Sequence, residues 1–168
     1  MKWYAMFVKT GKEDYIRDSL LDEFSDDNIR IIVPKRILTE KKDGVYYEIT
    51  RTVFPSYVFI KCNMNLQINK VLMRADKVYR ILGDYFNPIP IPEKEMHLID
   101  NVFKDKGVAG YTKIYYEGEN TVIVEGPLKG YESNINKIDK RKNRAQVVFK
   151  LNGQEKKINF GIKFVSKE

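Results

Sequence analysis

Hydrophobic positions at the start of the chain follow strand periodicity first and helix periodicity afterwards. Aromatic and β-branched residues over 3–9 predict a strand. Thr10 and Glu13 have the spacing of a capping box, in which each side chain bonds the backbone N–H of the other residue. Apolar residues then recur at helical spacing and predict a helix that ends near Ser25.

The same periodicities continue to residue 104 without regular strand–helix alternation. Asp43-Gly44 predicts a hairpin turn between strands over 36–42 and 46–52. Further strands are predicted over 29–33, 57–62 and 78–82, and further helices over 65–75 and 93–104. Mixed elements in this order favour an α+β fold, with an antiparallel sheet packed by helices.

The C-terminal part contains only short β-type runs separated by turn residues. They are predicted over 114–116, 121–125, 133–138, 145–151 and 156–160. Five short strands without a helix pattern are typical of a small barrel. Two glycines and no periodicity mark the seam before them. We therefore expect an N-terminal domain over 1–104, a flexible linker over 105–112 and a β-barrel domain over 113–168.

Positive charge is concentrated in that second domain. The chain of 168 residues carries 30 Lys and Arg against 23 Asp and Glu, a net charge of +7. Residues 1–106 have 18 cations and 16 anions (+2), whereas residues 107–168 have 12 and 7 (+5). Six of the latter cations lie within 129–144, beside two anions. The asymmetry favours an anionic partner for the C-terminal domain.

Composition also excludes several classes of site and of protein. One Cys and one His cannot form an intrachain disulfide framework or a zinc site of Cys and His ligands. No phosphate-binding loop or nucleophile motif is present, so we expect neither an enzyme nor a cofactor. No apolar run approaches the roughly 20 residues that span a bilayer. The sequence predicts a monomeric cytoplasmic protein without a membrane partner.

Several motifs together resemble one family of transcription factors. Residues 122–139 resemble a KOW motif, and residues 2–5, 11–13 and 54–60 resemble the N-terminal (NGN) domain of NusG-type elongation factors. Order and spacing match across nearly the whole chain, which implies an NGN-like α+β domain followed by a KOW or SH3-like barrel. The basic run over 139–145 resembles the specialised LoaP branch of bacterial antiterminators.

The chain departs from the KOW pattern just after Glu132. The motif usually has a glycine where Ser133 and Asn134 stand. Asn tolerates positive φ better than other residues with a side chain, so we expect Asn134 to replace the glycine in the turn.

Alternation along residues 57–61 places Tyr57 and Phe59 on one face of a strand and aliphatic residues on the other. The residues alone allow these rings to form a second core. The resemblance implies instead that Phe7, Tyr57 and Phe59 form an apolar patch that docks on the clamp helices of the largest RNA polymerase subunit. Phe54 is also expected among the polymerase-binding residues, chiefly by shaping the start of the strand.

The cations of the second domain form the other candidate site. Five of the eight residues over 137–144 are basic, a composition that suits a solvated turn or a phosphate-binding surface. Arginine can fork onto phosphate and tyrosine can stack on bases. The predicted RNA-binding residues are Lys129, Tyr131, Lys137, Lys140, Arg141, Lys142 and Arg144. Their expected ligand is a hairpin of the nascent RNA.

The predicted function is therefore elongation or antitermination by a protein that tethers an RNA-binding domain to RNA polymerase. Two alternatives stay open: a general NusG-like factor whose KOW domain binds a ribosomal protein or Rho, and a ribosome-associated KOW protein. A second basic group lies in the hairpin, at Lys35, Arg36, Lys41, Lys42 and Arg51. It would either follow upstream or non-template DNA or form a solvated surface, and none of its residues is assigned to a site.

Overall fold

The computed structural model describes residues 1–24, 28–84, 86–104 and 106–167. They form two compact units, Met1–Pro34 with Phe54–Met96 and Lys35–Val53 with His97–Glu168. In chain order the elements are β1 Lys2–Val8, α1 Glu13–Glu23, β2 Arg30–Ile32, β3 Lys35–Lys42, β4 Val45–Thr52, β5 Tyr57–Cys62, α2 Leu66–Arg74, β6 Val78–Ile81, α3 Glu93–Val102, β7 Val108–Ala109, β8 Thr112–Glu117, β9 Asn120–Glu125, β10 Ile135–Asp139, β11 Arg144–Leu151 and β12 Gln154–Phe164. Among the described residues, no helix is both long and apolar enough to cross a membrane.

The first unit is built on an antiparallel sheet in the order β2-β5-β1-β6. One face of the sheet carries Val58 and Ile60, both completely buried, as their alternation predicts. They belong to a core cluster that also contains Ile16 and Leu20 of α1 and Leu72 of α2. The apolar stripes of both helices therefore lie in one core with the aliphatic residues of β5.

The start of α1 differs from the predicted capping box. Lys12 is the N-cap residue, and no side chain caps the helix. The Thr10 hydroxyl instead bonds the Ser56 hydroxyl, and Glu13 Oε1 accepts the Ser56 backbone N–H at 2.8 Å. A tertiary contact has replaced the local one, because both side chains reach the turn before β5. The predicted helix end, Ser25, lies outside the described residues.

The second unit contains a curled five-stranded sheet in the order β10-β11-β12-β8-β9. β12 pairs antiparallel with β11 and, near its end, parallel with β8. Phe103, Phe149 and Phe160 are at most 1% exposed and pack with ring centroids 5.7–6.2 Å apart. The predicted fold class, an N-terminal domain of helices and sheet followed by an all-β domain, is confirmed.

A three-stranded sheet, β4-β3-β7, also belongs to the second unit. β7 pairs parallel with β3, and the Lys35 N–H donates to the Gly107 carbonyl at 2.8 Å. The hairpin thus clusters with the second unit, although the sequence places it within 1–104, and β7 occupies part of the predicted linker. Asp105, where the predicted linker begins, and Glu168, where the predicted barrel ends, are not among the described residues. The three-segment division stays a prediction.

The turn at the centre of the KOW-like motif uses a different residue from the one expected. Gly130 has φ +86° and supplies the left-handed conformation there. Asn134 lies in a short 3₁₀ turn, Glu132–Asn134, and its N–H donates to the Tyr131 carbonyl at 2.9 Å. The prediction of a positive φ at Asn134 is wrong, because the chain reverses earlier.

Candidate docking and nucleic-acid interfaces

Three aromatic rings meet on the second face of the first unit's sheet, and we call Phe7, Tyr57 and Tyr79 the aromatic patch. Phe7 lies directly opposite Tyr57 across β1 and β5. Its ring centroid is 5.8 Å from that of Tyr57 and 5.9 Å from that of Tyr79. Phe7 and Tyr57 are half-buried and Tyr79 is 58% exposed. The three rings therefore present apolar surface to solvent from three neighbouring strands.

Two of the four predicted docking residues are not at the surface. Phe54 is 2% exposed and Phe59 is fully buried. Their rings pack edge to face at 5.7 Å, and Phe59 stacks on Tyr57 at 6.3 Å. Phe7 and Tyr57 are exposed enough to meet a partner directly, whereas Phe59 supports the Tyr57 ring and Phe54 packs on Phe59.

The turn before β5 fixes where Tyr57 points. Ser56 has φ +69°, an uncommon conformation for a residue with a side chain. Glu13 accepts its N–H, and its carbonyl accepts the Val8 N–H at 2.9 Å. The Tyr57 N–H donates to the Phe54 carbonyl at 3.2 Å. These bonds join the turn to α1 and β1, so Tyr57 starts β5 from a rigid position.

Sequence reasoning missed Tyr79 and its neighbour Arg80. The Arg80 guanidinium carbon lies 5.5 Å from the centre of the Phe7 ring, close enough for a cation–π contact. β1 changes register against β6 between Phe7 and Val8. A bulge of this kind leaves no sequence signal, because alternation along β6 alone does not show which of its residues meets Phe7.

The basic run forms an exposed turn between β10 and β11, and we call residues 140–144 the cationic turn. Asp139 pairs with Arg144 across the strands, and its carboxylate accepts the Lys142 N–H at 3.0 Å. Asn143 completes the reversal with φ +53°. Lys140, Arg141 and Lys142 are exposed, as predicted for a charge run. The Lys140 ammonium lies 3.9 Å from the centre of the Tyr116 ring.

A small polar groove runs beside this turn. Its volume is about 160 Å³, and it is lined by Lys137, Asp139, Lys142, Arg144, Gln146 and Asn159. Gln146 and Asn159 were not predicted, since a lone amide in a strand carries no sequence signal. The Gln146 oxygen accepts from the Asn136 amide at 2.8 Å. Cations beside amides can hold a phosphate and a base edge together.

The loop with Lys129 and Tyr131 lines a different cavity. This cavity, of about 590 Å³, is also lined by Asn101, Lys104 and Val108. The Tyr131 ring packs edge to face on His97 with centroids 6.2 Å apart. The seven predicted RNA-binding residues therefore do not share one pocket: Lys137, Lys142 and Arg144 line the polar groove, Lys140 and Arg141 extend from the turn beside it, and Lys129 and Tyr131 lie apart.

The described residues offer little for catalytic chemistry. Cys62 is 1% exposed, and burial raises the pKa of its thiol to about 11, so it is neutral at physiological pH. Within the part of the chain that the structure describes, no three His, Cys, Asp or Glu side chains are grouped to hold a metal ion. The features that remain are surfaces for binding.

Comparisons with known proteins agree on one family. The family model described as transcription termination factor nusG matches residues 1–100. The transcription termination/antitermination protein NusG of Rickettsia typhi is 25% identical, covering 99% of this chain and 90% of that protein. The Helicobacter pylori protein of the same name is 28% identical over 83% of this chain and 82% of its own length. A solved structure described as domain interaction in Thermotoga maritima NusG has a TM-score of 0.60 at 20% identity, covering 95% of this chain and 93% of that one.

Proposed function

The chain belongs to the NusG family of transcription termination/antitermination factors, and on this premise we propose that it docks on RNA polymerase and binds nascent RNA at the same time. The aromatic patch would contact the clamp helices of the largest polymerase subunit. The cationic turn and the polar groove would contact an RNA hairpin. The observation that carries the proposal is the presence of these two exposed surfaces, one apolar and one basic, on separate units.

The aromatic patch has the chemistry that helix docking requires. Exposed apolar rings rimmed by polar groups mark sites where a protein partner binds, and an amphipathic helix can place its apolar face across neighbouring strands. Tyr57 and Tyr79 each add a hydroxyl that can bond polar groups at the edge of such a contact. Arg80 supplies the charged rim.

The cationic turn suits RNA because its charges are exposed and close together. Lysine and arginine neutralise backbone phosphates, which makes binding depend strongly on salt. The groove beside the turn adds the Gln146 and Asn159 amides, which can bond base edges. A hairpin whose loop enters this groove would be bound by phosphate and base contacts together.

Tethering links the two contacts in one mechanism. A protein that binds the closed polymerase clamp better than the open one shifts the enzyme away from paused states. Binding of the second unit to RNA then becomes intramolecular, which raises its effective concentration. Recognition of a chosen hairpin would limit recruitment to particular operons, as expected for the LoaP branch.

The general factor is a second candidate, and one observation favours it. The relatives described above, from Rickettsia typhi and Helicobacter pylori, carry the termination/antitermination name. In such a factor the second unit would bind Rho or a ribosomal protein, and RNA affinity would be weak and independent of sequence. Selection of RNA ligands with the full chain separates the two, because only the specialised factor enriches a defined hairpin.

Docking is tested with the double variant Phe7→Ala, Tyr57→Ala in a binding titration against purified RNA polymerase. Removing two central aromatic anchors should weaken binding at least about tenfold. Tyr15→Ala is the matched control, since Tyr15 is 54% exposed on α1 and lies outside the aromatic patch. Equal affinities of the double variant and the control would refute docking through this patch.

The RNA contact is tested by charge reversal. Lys140→Glu with Lys142→Glu should abolish measurable binding of the selected hairpin at moderate salt, because attraction becomes repulsion. Lys150→Glu with Lys157→Glu makes the same change in charge at two exposed lysines of β11 and β12 outside the turn. Hairpin binding that survives the first pair, or falls equally with both, contradicts a specific site at the turn.

A further inference from the structure

Three guanidinium groups come together within the second unit, and we call Arg36, Arg51 and Arg144 the arginine cluster. Arg36 and Arg51 are cross-strand partners in the β3–β4 hairpin. Glu40 lies between Arg51 and Arg144. One of its carboxylate oxygens is 3.7 Å from Arg51 Nη2, and the other is 3.7 Å from Arg144 Nη2. The three positive charges are therefore only partly balanced by the Glu40 carboxylate.

Backbone packing, rather than the flexible side chains, brings these residues together. Arg144 begins β11 directly opposite Gly161 of β12. A Cβ atom at Gly161 would lie only 2.5 Å from the Ile37 carbonyl oxygen, so the missing side chain lets β3 approach β12. Arg144 Nη2 then donates to the Thr39 carbonyl at 3.3 Å. The Thr39 and Tyr111 hydroxyls share a hydrogen bond of 2.7 Å beside it.

The cluster contains buried donors that the described residues leave without an acceptor. The Nε atoms of Arg36 and Arg144 are both buried and have no hydrogen-bond partner within the described part of the chain. A buried donor without an acceptor costs about 1–3 kcal/mol, and more when it is charged. Burial lowers the pKa of Arg36, and the neighbouring Arg144 and Arg51 charges lower it further. An anion placed here would satisfy the donors and relieve the repulsion.

We infer that the arginine cluster binds a phosphate group of the RNA strand lying on the cationic turn. This inference rests on the proposed RNA contact and extends that contact to the β3–β4 hairpin of the protein. Arg144 connects the two places, since it belongs to the cluster and also lines the polar groove with Lys137 and Lys142. An RNA strand in the groove carries phosphates past Arg144, where Arg36 and Arg51 lie next to it. The planar forks of arginine match phosphate oxygens in a way that lysine does not.

The phosphate site itself is tested without RNA. Inorganic phosphate is titrated into the full chain at constant ionic strength while the arginine Nε–H resonances are followed by NMR. We expect the Arg36 and Arg144 signals to move together and to saturate, because both donors acquire an acceptor. Arg36→Gln identifies its own signal and should abolish the shift at Arg144. Linear, unsaturated drift of both signals would overturn the site.

The RNA strand as the source of the phosphate is tested with Arg36→Gln and a short labelled oligouridylate. Loss of one phosphate contact should weaken binding about threefold to tenfold and reduce the salt slope by about 0.7. Lys42→Gln is the matched control, since it removes one exposed charge from the same hairpin and should change affinity by less than about twofold. Arg36→Lys keeps the charge but loses the fork, so its affinity should fall while its salt slope stays near that of the wild-type chain.

The outcomes separate this inference from the proposed function. Normal RNA affinity of Arg36→Gln, combined with loss of binding on reversal of Lys140 and Lys142, overturns the cluster and leaves the RNA contact intact. If the arginine resonances shift saturably with phosphate but the wild-type chain binds no RNA, the phosphate does not come from RNA. The proposed RNA contact is then overturned as well. A purely structural Arg36 would change the melting temperature while leaving both the salt slope and the phosphate shifts unchanged.

Discussion

The aromatic patch and the cationic turn differ in how their side chains relate to the core. Aromatic residues on the second face of the first unit's sheet range from the fully buried Phe59 to Tyr79, which is 58% exposed. Lys140, Arg141 and Lys142 are exposed without exception. A run of charged residues therefore predicts its own exposure, because isolated charges are rarely buried. Aromatic residues along a strand do not predict theirs, because rings occur in cores and in docking surfaces equally.

The two regions also differ in how neighbours fix them. Tyr57 is positioned by a rigid turn whose bonds reach α1 and β1. In the cationic turn, Asp139 and Asn143 shape the backbone, and the side chains of Lys140, Arg141 and Lys142 are exposed. An aromatic surface held by its neighbours suits a partner of constant shape, whereas exposed cations suit a polyanion whose phosphates can be met in several ways.

Phe59→Ala tests whether Phe59, which lies next to the aromatic patch, is a core residue. Truncating a fully buried phenylalanine should lower the free energy of unfolding by about 3–5 kcal/mol. Tyr57→Ala, in the adjacent half-buried position, should cost about 1 kcal/mol. Urea unfolding followed by the fluorescence of Trp3, the single tryptophan, measures both values. Similar losses for the two variants would remove the distinction between core and docking residues.

Gly161→Ala tests the close approach that builds the arginine cluster. The added methyl would meet the Ile37 carbonyl oxygen at 2.5 Å and the Tyr111 ring at 2.8 Å, so the hairpin must shift. We expect a destabilisation of about 1–3 kcal/mol, typical of overpacking. Gly110→Ala is the matched control, because a Cβ there meets nothing within 4 Å. Thermal unfolding compares them, and equal melting temperatures would disprove the close contact.

Strand and helix positions were largely predictable because periodicity and burial act along the chain. Val58 and Ile60 lie in the core as their alternation indicates. The errors occur where distant segments meet. Thr10 and Glu13 have the sequence of a capping box but bond Ser56, 46 and 43 positions away. The β3–β4 hairpin clusters with the second unit through long-range pairing with β7, which local patterns do not contain, and the division into three segments stays a prediction.

The exposure of candidate site residues was predictable where the side chains are charged. Composition alone indicates that the cationic turn is at the surface, since charged side chains are rarely buried, and its binding role stays a prediction. Tyr79 was missed because a register shift in β1 brings it to Phe7. The arginine cluster was missed because its members are separated by up to 108 positions along the chain and become neighbours only through Gly161.

Tyr79→Ala tests whether the aromatic patch extends beyond the residues found from sequence. Loss of one exposed ring at the edge of the patch should weaken polymerase binding by about 1 kcal/mol, roughly fivefold. Its stability should change little, since 58% of the residue is exposed. Titration against purified polymerase measures the effect, with Tyr79→Phe retaining the ring as the control. Wild-type affinity of Tyr79→Ala would confine the patch to Phe7 and Tyr57.

Cys62 should give the first unit's core a pH dependence of its own. Burial raises its pKa from 9.0 to about 11, so the folded state favours the neutral thiol. The contribution of the buried neutral thiol to the free energy of unfolding is fully present well below pH 9. It is lost as the pH rises towards 11, because the thiol ionises first in the unfolded chain. Cys62→Ala lacks this titration. The difference in unfolding free energy between wild type and Cys62→Ala should therefore shrink by about 2 kcal/mol between pH 8.5 and 10.5.

The unfolding free energy of Cys62→Ala is subtracted from that of the wild type because other ionisable side chains also change charge in this pH range. Burial raises the pKa of Tyr4, and the nearby Cys62 charge raises it further, so removing the thiol also alters this neighbour slightly. Tyr4→Phe in both backgrounds removes that coupling and leaves the thiol as the only difference. A difference between the two chains that stays constant over this range would mean that Cys62 ionises as easily in the folded state as in the unfolded one. Water would then have to reach a side chain that is 1% exposed, and the core beneath β5 would be open, with the aromatic patch no longer on a rigid base.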